Sequence, residues 1–313
     1  VLQAAVKSFD PHLFIVDNVP LGLNGEIKPL LEKFKSEKRQ VPTVLLMRDV
    51  LDASQRIMRV WSQRGDYDAL SRLYDRILIL GDSRVYDPVR SYRLPESAAE
   101  KVRFCGLLGA STSKKKPLSK DKGLPSNGIP WIVVTVGGGE DGYPLIKNYL
   151  LGVQGCRFLQ KFQHLMITGP YMPKPRKISL IKKYGSLPNI FIRDFISDID
   201  SWLLTSVLVV SMGGYNTVYE TLSVKTPLLV VPRVYPRKEQ LIRAEGLAAR
   251  GLLEMIHPKE LEPEKLSQRI VEYLSSLPRS TNSFRLDFGG LEKAILEIED
   301  LLPGTISRTK EKK

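Results

Sequence analysis

Short apolar runs, each about one strand long and most of them stopped by Asp, Gly or a charged residue, recur along this chain with helical patterns between them. Leu13-Phe14-Ile15-Val16 stops at Asp17, Thr43 to Met47 at Arg48-Asp49, and Ile77 to Leu80 at Gly81-Asp82. Val102-Arg103-Phe104-Cys105 offers a fourth run. Helical patterns cover Ile27 to Lys35, Ser54 to Trp61 and Tyr67 to Tyr74. A strand buried on both faces reads as a nearly continuous apolar run, and strand–helix alternation implies crossover connections. The expectation is an α/β chain whose strands are parallel and covered by helices on both faces.

The alternation breaks once. From Gly109 to Pro130 the sequence reads GASTSKKKPLSKDKGLPSNGIP, with no apolar period, as a linker or flexible loop would. It then restarts: strands at Trp131 to Val136, Leu165 to Thr168, Asn189 to Ile192, Val207 to Val210 and Leu228 to Val231. Helices are expected at Tyr143 to Leu151, Lys177 to Tyr184, Lys238 to Arg250, Pro263 to Leu277 and Gly290 to Leu302. With 313 residues there is room for about two domains of roughly 150 residues each. The expected division is 1–108 as a partial N-terminal domain, 109–130 as linker, 131–302 as C-terminal domain and 303–313 as a basic tail.

The net charge of +13 permits anionic partners, but much of it sits in Lys114-Lys115-Lys116, Lys120, Lys122, Arg308, Lys310, Lys312 and Lys313. No aromatic residues interleave with these runs to stack bases, so a nucleic-acid partner is not expected. No run of about 18 apolar residues suggests a transmembrane helix. The first residues, VLQAAVKSFDPH, lack a signal-peptide pattern and read as the end of a helix already under way, as if a longer sequence preceded them. Cys105 and Cys156 have no disulfide framework or metal spacing and suit a reducing, cytoplasmic interior as small buried hydrophobes.

The richest stretch is VLVVSMGGYNTVYETLSVKTPLLVVPRVYPRKEQLIRA, from Val207 to Ala244. Its two apolar runs flank a helical pattern, so a β-α-β unit would bring Gly213, Gly214, Glu220, Arg233 and Gln240 to one sheet edge. Paired glycines let backbone N–H groups approach an anion at a helix N-terminus, and a carboxylate nearby can accept from sugar hydroxyls. Thr217-Val218-Tyr219-Glu220 fits a capping box equally well, which would confine Glu220 to the helix end.

A second glycine loop, Gly137-Gly138-Gly139-Glu140-Asp141-Gly142, follows the strand from Trp131, and Pro144 stands in the first turn of the next helix. Gly137, Gly139 and Gly142 spell G-x-G-x-x-G, but the following strand ends in Thr168-Gly169-Pro170 rather than a ribose-binding carboxylate. That argues against a nicotinamide site and leaves a phosphate-facing loop or a tight turn. No P-loop, zinc-hydrolase or nucleophile-elbow motif occurs, and His12, His164 and His257 stand far apart. Asp198-Ile199-Asp200 is explained by first-turn carboxylates on a helix, without a metal. Asp17, Asp49 and Asp82 end strands at the edge where open α/β sheets bind ligands, and Asp17 and Asp49 are the candidate catalytic bases.

The stretch SMGGYNTVYETLSVKTPLLVVPRVYPRKEQLIRAEGLAARGLLEMI, with TVGGGEDG and NIFIRDFISDIDSWL before it, resembles the C-terminal domain of family 28 glycosyltransferases over about residues 130–258. The segments PHLFIVDNVPLG, LLMRDVLD and YDRILILGD resemble a branch of glycosyltransferases with the same layout. The resemblance implies the GT-B fold, two doubly wound Rossmann-like domains with parallel sheets facing across a cleft. It implies that Gly137 to Gly142, with Gly137, Gly138 and Gly139 foremost, line the diphosphate and cleft, that Arg193 and Phe195 lie beside the base, and that Ser211, Gly213, Gly214, Asn216 and Thr217 hold the diphosphate. Glu220 would take the ribose hydroxyls, and Arg233, Glu239 and Gln240 would face the phosphate or the transferred sugar. Members of the family begin with a strand and a glycine/histidine-rich loop near the acceptor; this sequence has none. Either such an element precedes Val1 or the catalytic half-site has been lost.

The expected function is inverting transfer of a sugar, UDP-linked by the resemblance, to an acceptor hydroxyl on a lipid-linked, carbohydrate or small molecule. No metal or other cofactor is required if amides and Arg233 neutralise the leaving diphosphate. A cytoplasmic place, with peripheral contact to the inner face of a membrane left open, fits the basic loops. Rival readings are a sugar-nucleotide epimerase or hydrolase, which needs no acceptor, and a nucleotide-sugar-binding protein without turnover.

Overall fold

The structure, a computed structural model, describes residues 2–37, 41–109, 124–125, 128–276 and 283–302. Most of the expected linker and the whole of the expected tail, 303–313, lie outside the described residues. The described chain falls into two compact units, one drawn from Val1–Leu108 and Leu286–Lys313, the other from Gly109–Arg285.

In the first unit, β1 (Phe14–Asp17), β2 (Thr43–Arg48), β3 (Arg76–Leu80) and β4 (Val102–Phe104) form a wholly parallel sheet in the order β1-β2-β3-β4. The apolar runs are strands because their side chains are buried on both faces: Leu45, Met47, Ile77 and Ile79 pack with Trp61, Leu70 and Tyr92, while Val44 and Leu78 are buried as well. Strand order follows chain order here, with no reversal among the described residues.

The second unit holds β5 (Trp131–Thr135), β6 (Gln163–Ile167), β7 (Ile190–Arg193), β8 (Leu208–Ser211), β9 (Leu228–Val230) and β10 (Glu254–Met255). Every pairing is parallel and the order is β10-β9-β8-β5-β6-β7. The chain therefore winds outward from β5 to β7, returns to β8 beside β5, and winds out the other way. Right-handed crossovers in opposite directions put the connecting helices on opposite faces. Helix Tyr143–Gly155 packs with Pro263–Ser275 and Lys174–Tyr184, and Ile199–Thr205 packs with Tyr215–Ser223. Ile132, Val134, Met166, Val210 and Leu229 form one core with Tyr149 and Ile270. Beneath it His164 is fully buried, its Nδ1 2.7 Å from the Tyr149 hydroxyl and its Nε2 3.0 Å from the Leu159 carbonyl. Desolvation pushes its pKa down to about 4, so the ring is neutral and structural.

One expected boundary is corrected. The C-terminal domain was expected to run to 302, but residues 286–302, including helix Gly290–Glu299, pack with the first unit. Leu107 N–H donates to the Asp287 carbonyl at 2.7 Å, and Gly290 N–H to the Leu107 carbonyl at 3.1 Å. Arg76 reaches Glu297 at 3.3 Å and Asp300 at 2.9 Å. The apolar period of this helix says that one face is covered, not which sheet covers it. Cys105 is buried and Cys156 half-buried, both free thiols. No helix among the described residues is long and apolar enough to cross a membrane.

Candidate functional site

The point where strand order reverses lies between β5 and β8, and in open α/β sheets ligands bind at the carboxyl ends of such neighbours. Both glycine loops open there. After β5 the chain turns through Gly137 (φ +62) and Gly139 (φ +95) before helix Tyr143–Gly155. A Cβ on Gly139 would stand 2.0 Å from the Thr168 carbonyl oxygen, so the loop touches the end of β6 backbone to backbone. After β8 the chain passes Gly213 (φ +85) and Gly214, and helix Tyr215–Ser223 begins. Gly214 is its N-cap and supplies no side-chain cap. A Cβ there would meet nothing within 4 Å. The first-turn N–H groups there form the positive end of the helix dipole, and Gly214 and Thr217 line a cavity.

The two loops share one cavity of about 310 Å³, whose further walls include Tyr171, Arg233 and Gln240. Arg233 follows β9. Its terminal nitrogen pairs with Glu239 Oε1 at 2.6 Å, its Nε lies 3.9 Å from Asp141 Oδ2, and its backbone N–H donates to Gln240 Oε1 at 3.0 Å. Arg233 Nε and Glu239 Oε2 are shielded from solvent with no hydrogen-bond partner. Such atoms are costly to leave unpaired, and a ligand in the cavity is one way to satisfy them. Arg243, fully buried, donates to the Gly213 carbonyl at 3.0 Å and lies over the Tyr215 ring, 5.6 Å from its centroid.

Of the residues expected at the site, Gly137, Gly138, Gly139, Ser211, Gly214, Thr217, Arg233 and Gln240 line this cavity. Gly213 supports its floor through Arg243, and Glu239 holds Arg233. Asn216 is exposed on the first helical turn. Arg193 and Phe195 stand at the end of β7 and outside the cavity lining. Glu220 is outside it too, half-buried on helix Tyr215–Ser223, its pKa raised by burial and then by the charge of Asp200.

The capping-box reading of Glu220 is overturned. The helix starts at Tyr215, so Thr217 lies inside it and its carbonyl accepts from the Thr221 hydroxyl at 2.6 Å. Asp200 does sit in the first turn of Ile199–Thr205, with Asp198 at its N-cap position. In the first unit Asp17 is exposed at the end of β1, whereas Asp49 is buried and accepts from Val50 N–H at 2.7 Å. Asp82 is paired with Arg84 at 2.6 Å.

Sequence reasoning placed Asp141 at the site only as part of the Gly137–Gly142 loop, and it missed Tyr171 and Arg243. Asp141 lay in plain view inside the glycine loop. Tyr171 was signalled only by its place just past β6. Arg243, three residues after Gln240, shares that residue's helix face.

The fold and site define a class. The structure is similar to a kitacinnamycin glycotransferase (TM-score 0.62, 18% identity, covering 96% of this chain and 79% of that one). It is similar to S. aureus MnaA solved with UDP (TM-score 0.65, 14% identity, 95% and 78%). A UDP-GlcNAc 2-epimerase from Neisseria meningitidis solved with UDP-GlcNAc also matches (TM-score 0.61, 15% identity, 95% and 78%). Likeness at these identities shows the fold, which is GT-B. Within that class, residues 132–285 match the glycosyltransferase family 28 C-terminal domain. A curated relative is the UDP-N-acetylglucosamine--N-acetylmuramyl-(pentapeptide) pyrophosphoryl-undecaprenol N-acetylglucosamine transferase of Staphylococcus aureus (strain JH9). It is 28% identical over 129 residues, 41% of this chain and 34% of the relative, so the match spans about a third of that relative's length.

Proposed function

We propose that this protein is a glycosyltransferase that moves a sugar from a nucleotide-diphosphate donor, UDP-linked, to an acceptor hydroxyl with inversion. The observation that carries the reading is the shared cavity at the β5/β8 reversal, where two glycine loops meet beside Arg233. Backbone N–H groups of Gly138, Gly214 and the first turn after it would hold the diphosphate, and Arg233 would turn its Nε, which makes no hydrogen bond, to the same oxygens. Charge develops on that diphosphate as the glycosidic bond breaks, so preorganised donors lower the barrier where it matters most. The scheme asks for no metal. Gln240 and Glu239 would meet sugar hydroxyls and Glu220 the ribose. Asp17, exposed on the first sheet's carboxyl edge, is better placed than buried Asp49 to take the acceptor's proton.

The acceptor is lipid-linked, carbohydrate or small-molecule, met in the cytoplasm or at the inner face of a membrane. Titration calorimetry with UDP-, dTDP-, GDP- and ADP-sugars tests the donor site, with UDP-sugars expected to bind best. Product analysis with and without acceptors tests the reaction. Epimerised or free sugar formed without any acceptor would replace transfer by isomerisation or hydrolysis. Absence of binding to every nucleotide would end the proposal.

A further inference from the structure

Tyr171 is 70% exposed and stands at the wall of the cavity. Its backbone is held firmly. Tyr171 N–H donates to the Gly138 carbonyl at 2.8 Å, and a Cβ on Gly138 would lie 3.2 Å from the tyrosine ring. Gly169 (φ +77) passes so near the glycine loop that a Cβ there would meet Gly137 and Gly138 atoms at 2.4 Å. The ring is therefore carried on a rigid arm, while its outer face has no partner in the core.

Sheet order gives this exposure a direction. Across the carboxyl edge, Arg233 and Gln240 belong to the β9 side, the glycine loops to β8 and β5, Tyr171 to β6 and Phe195 to β7. Neighbouring strands stand about 4.8 Å apart, so an extended nucleotide-diphosphate sugar can span several of them. With the diphosphate at β8 and β5, the polyhydroxyl end fits the polar β9 side. The aromatic end then falls where two exposed rings stand in succession, Tyr171 and Phe195, the latter 71% exposed. Aromatic faces hold nucleobases by stacking without regard to hydrogen-bond pattern.

We infer that Tyr171 is a nucleobase-binding residue of the donor site, its ring packing against the base of the bound nucleotide. The inference rests on the donor-site reading above, and the two can fail separately. Calorimetry on the full chain compares wild type, Tyr171→Phe and Tyr171→Ala with UDP and with inorganic pyrophosphate. Tyr171→Ala is expected to weaken UDP binding by about tenfold or more, to leave pyrophosphate affinity unchanged, and to keep the wild-type melting temperature. Tyr171→Phe is expected to bind UDP as wild type does. UDP affinity in Tyr171→Ala within twofold of wild type overturns the inference, as does an equal loss for UDP and pyrophosphate, which would make Tyr171 a support for the glycine loop. A wild-type chain that binds neither UDP nor pyrophosphate overturns the donor-site reading and takes this inference with it.

Discussion

The guanidinium of Arg243 donates to the carbonyl oxygen of Gly213 at 3.0 Å, so the second glycine loop is braced from beneath by a buried cation. The same group lies over the Tyr215 ring at the start of the following helix. It thereby ties together the loop's left-handed residue and the helix end that would face a diphosphate. Arg243→Met is expected to cost about 2–3 kcal/mol in urea unfolding, since the Gly213 carbonyl loses a charged donor in a dry site. Arg243→Lys should recover only part, because a lysine lacks the planar fork. Wild-type stability in Arg243→Met would remove the brace.

Two glycines of the site separate folding from binding. Gly139 combines φ +95 with a Cβ position 2.0 Å from the Thr168 carbonyl, so Gly139→Ala should lose at least about 3 kcal/mol in urea unfolding. Gly214 has ordinary extended backbone and open space around its Cβ position. Gly214→Ala should therefore stay within about 1 kcal/mol of wild-type stability. It should nonetheless weaken UDP in calorimetry by about tenfold, because the methyl occupies the approach to the helix N-terminus.

Much of the architecture was legible because parallel strands buried on both faces leave apolar runs that no amphipathic helix imitates. The runs at 43–47, 77–80, 131–136, 207–210 and 228–231 each lie on a strand, to within a residue or two at the ends. The glycine loops were legible for a related reason: a strand that must end at a ligand ends in residues without side chains. What stayed hidden was tertiary. Thr217 looks like a cap only until the helix is seen to start at Tyr215. Helix Gly290–Glu299 has the same amphipathic pattern whichever sheet it covers, and Arg243 reads as a surface cation until its carbonyl partner is known.

The returning C-terminal segment makes its own prediction. Removing residues 286–313 deprives Leu107 of the Asp287 carbonyl, and Arg76 and Arg103 of Glu297. The second unit keeps its complete sheet and core. Limited proteolysis of the truncated chain should cut within 1–108 faster than in the full chain. Cleavage within 131–276 should be unchanged, and UDP binding by calorimetry should persist. Accelerated cleavage on both sides of the linker would contradict the assignment.

His164 sets part of the acid sensitivity. Its folded pKa of about 4 lies below its ordinary value of 6.5, so the unfolded chain takes up the proton first. Its stabilising effect is complete above pH 6.5 and is lost as pH falls toward 4, by roughly 3 kcal/mol over that window. Proton NMR should show one imidazole that fails to titrate above pH 5, and urea midpoints should fall through the same interval. A ring titrating near 6.5 would refute the burial argument.

Glu220 behaves in the opposite sense. Burial first, and the Asp200 charge second, raise its pKa above the ordinary 4.5, so the folded state prefers the protonated acid. The stabilising contribution of that preference is full below 4.5 and disappears as pH rises through the raised folded value. Glu220→Gln removes the ionised carboxylate, so it should unfold at higher urea than wild type at pH 7, with the gap closing by pH 4. Binding should move the other way. If the ionised carboxylate accepts from ribose hydroxyls, Glu220→Ala loses about 1–3 kcal/mol of UDP affinity at pH 7 while pyrophosphate affinity is retained. Wild-type affinity for UDP should itself weaken as pH falls into the range where Glu220 protonates. A variant that is stabilised at pH 7 yet binds UDP as tightly as wild type would leave Glu220 a buried acid with no ligand.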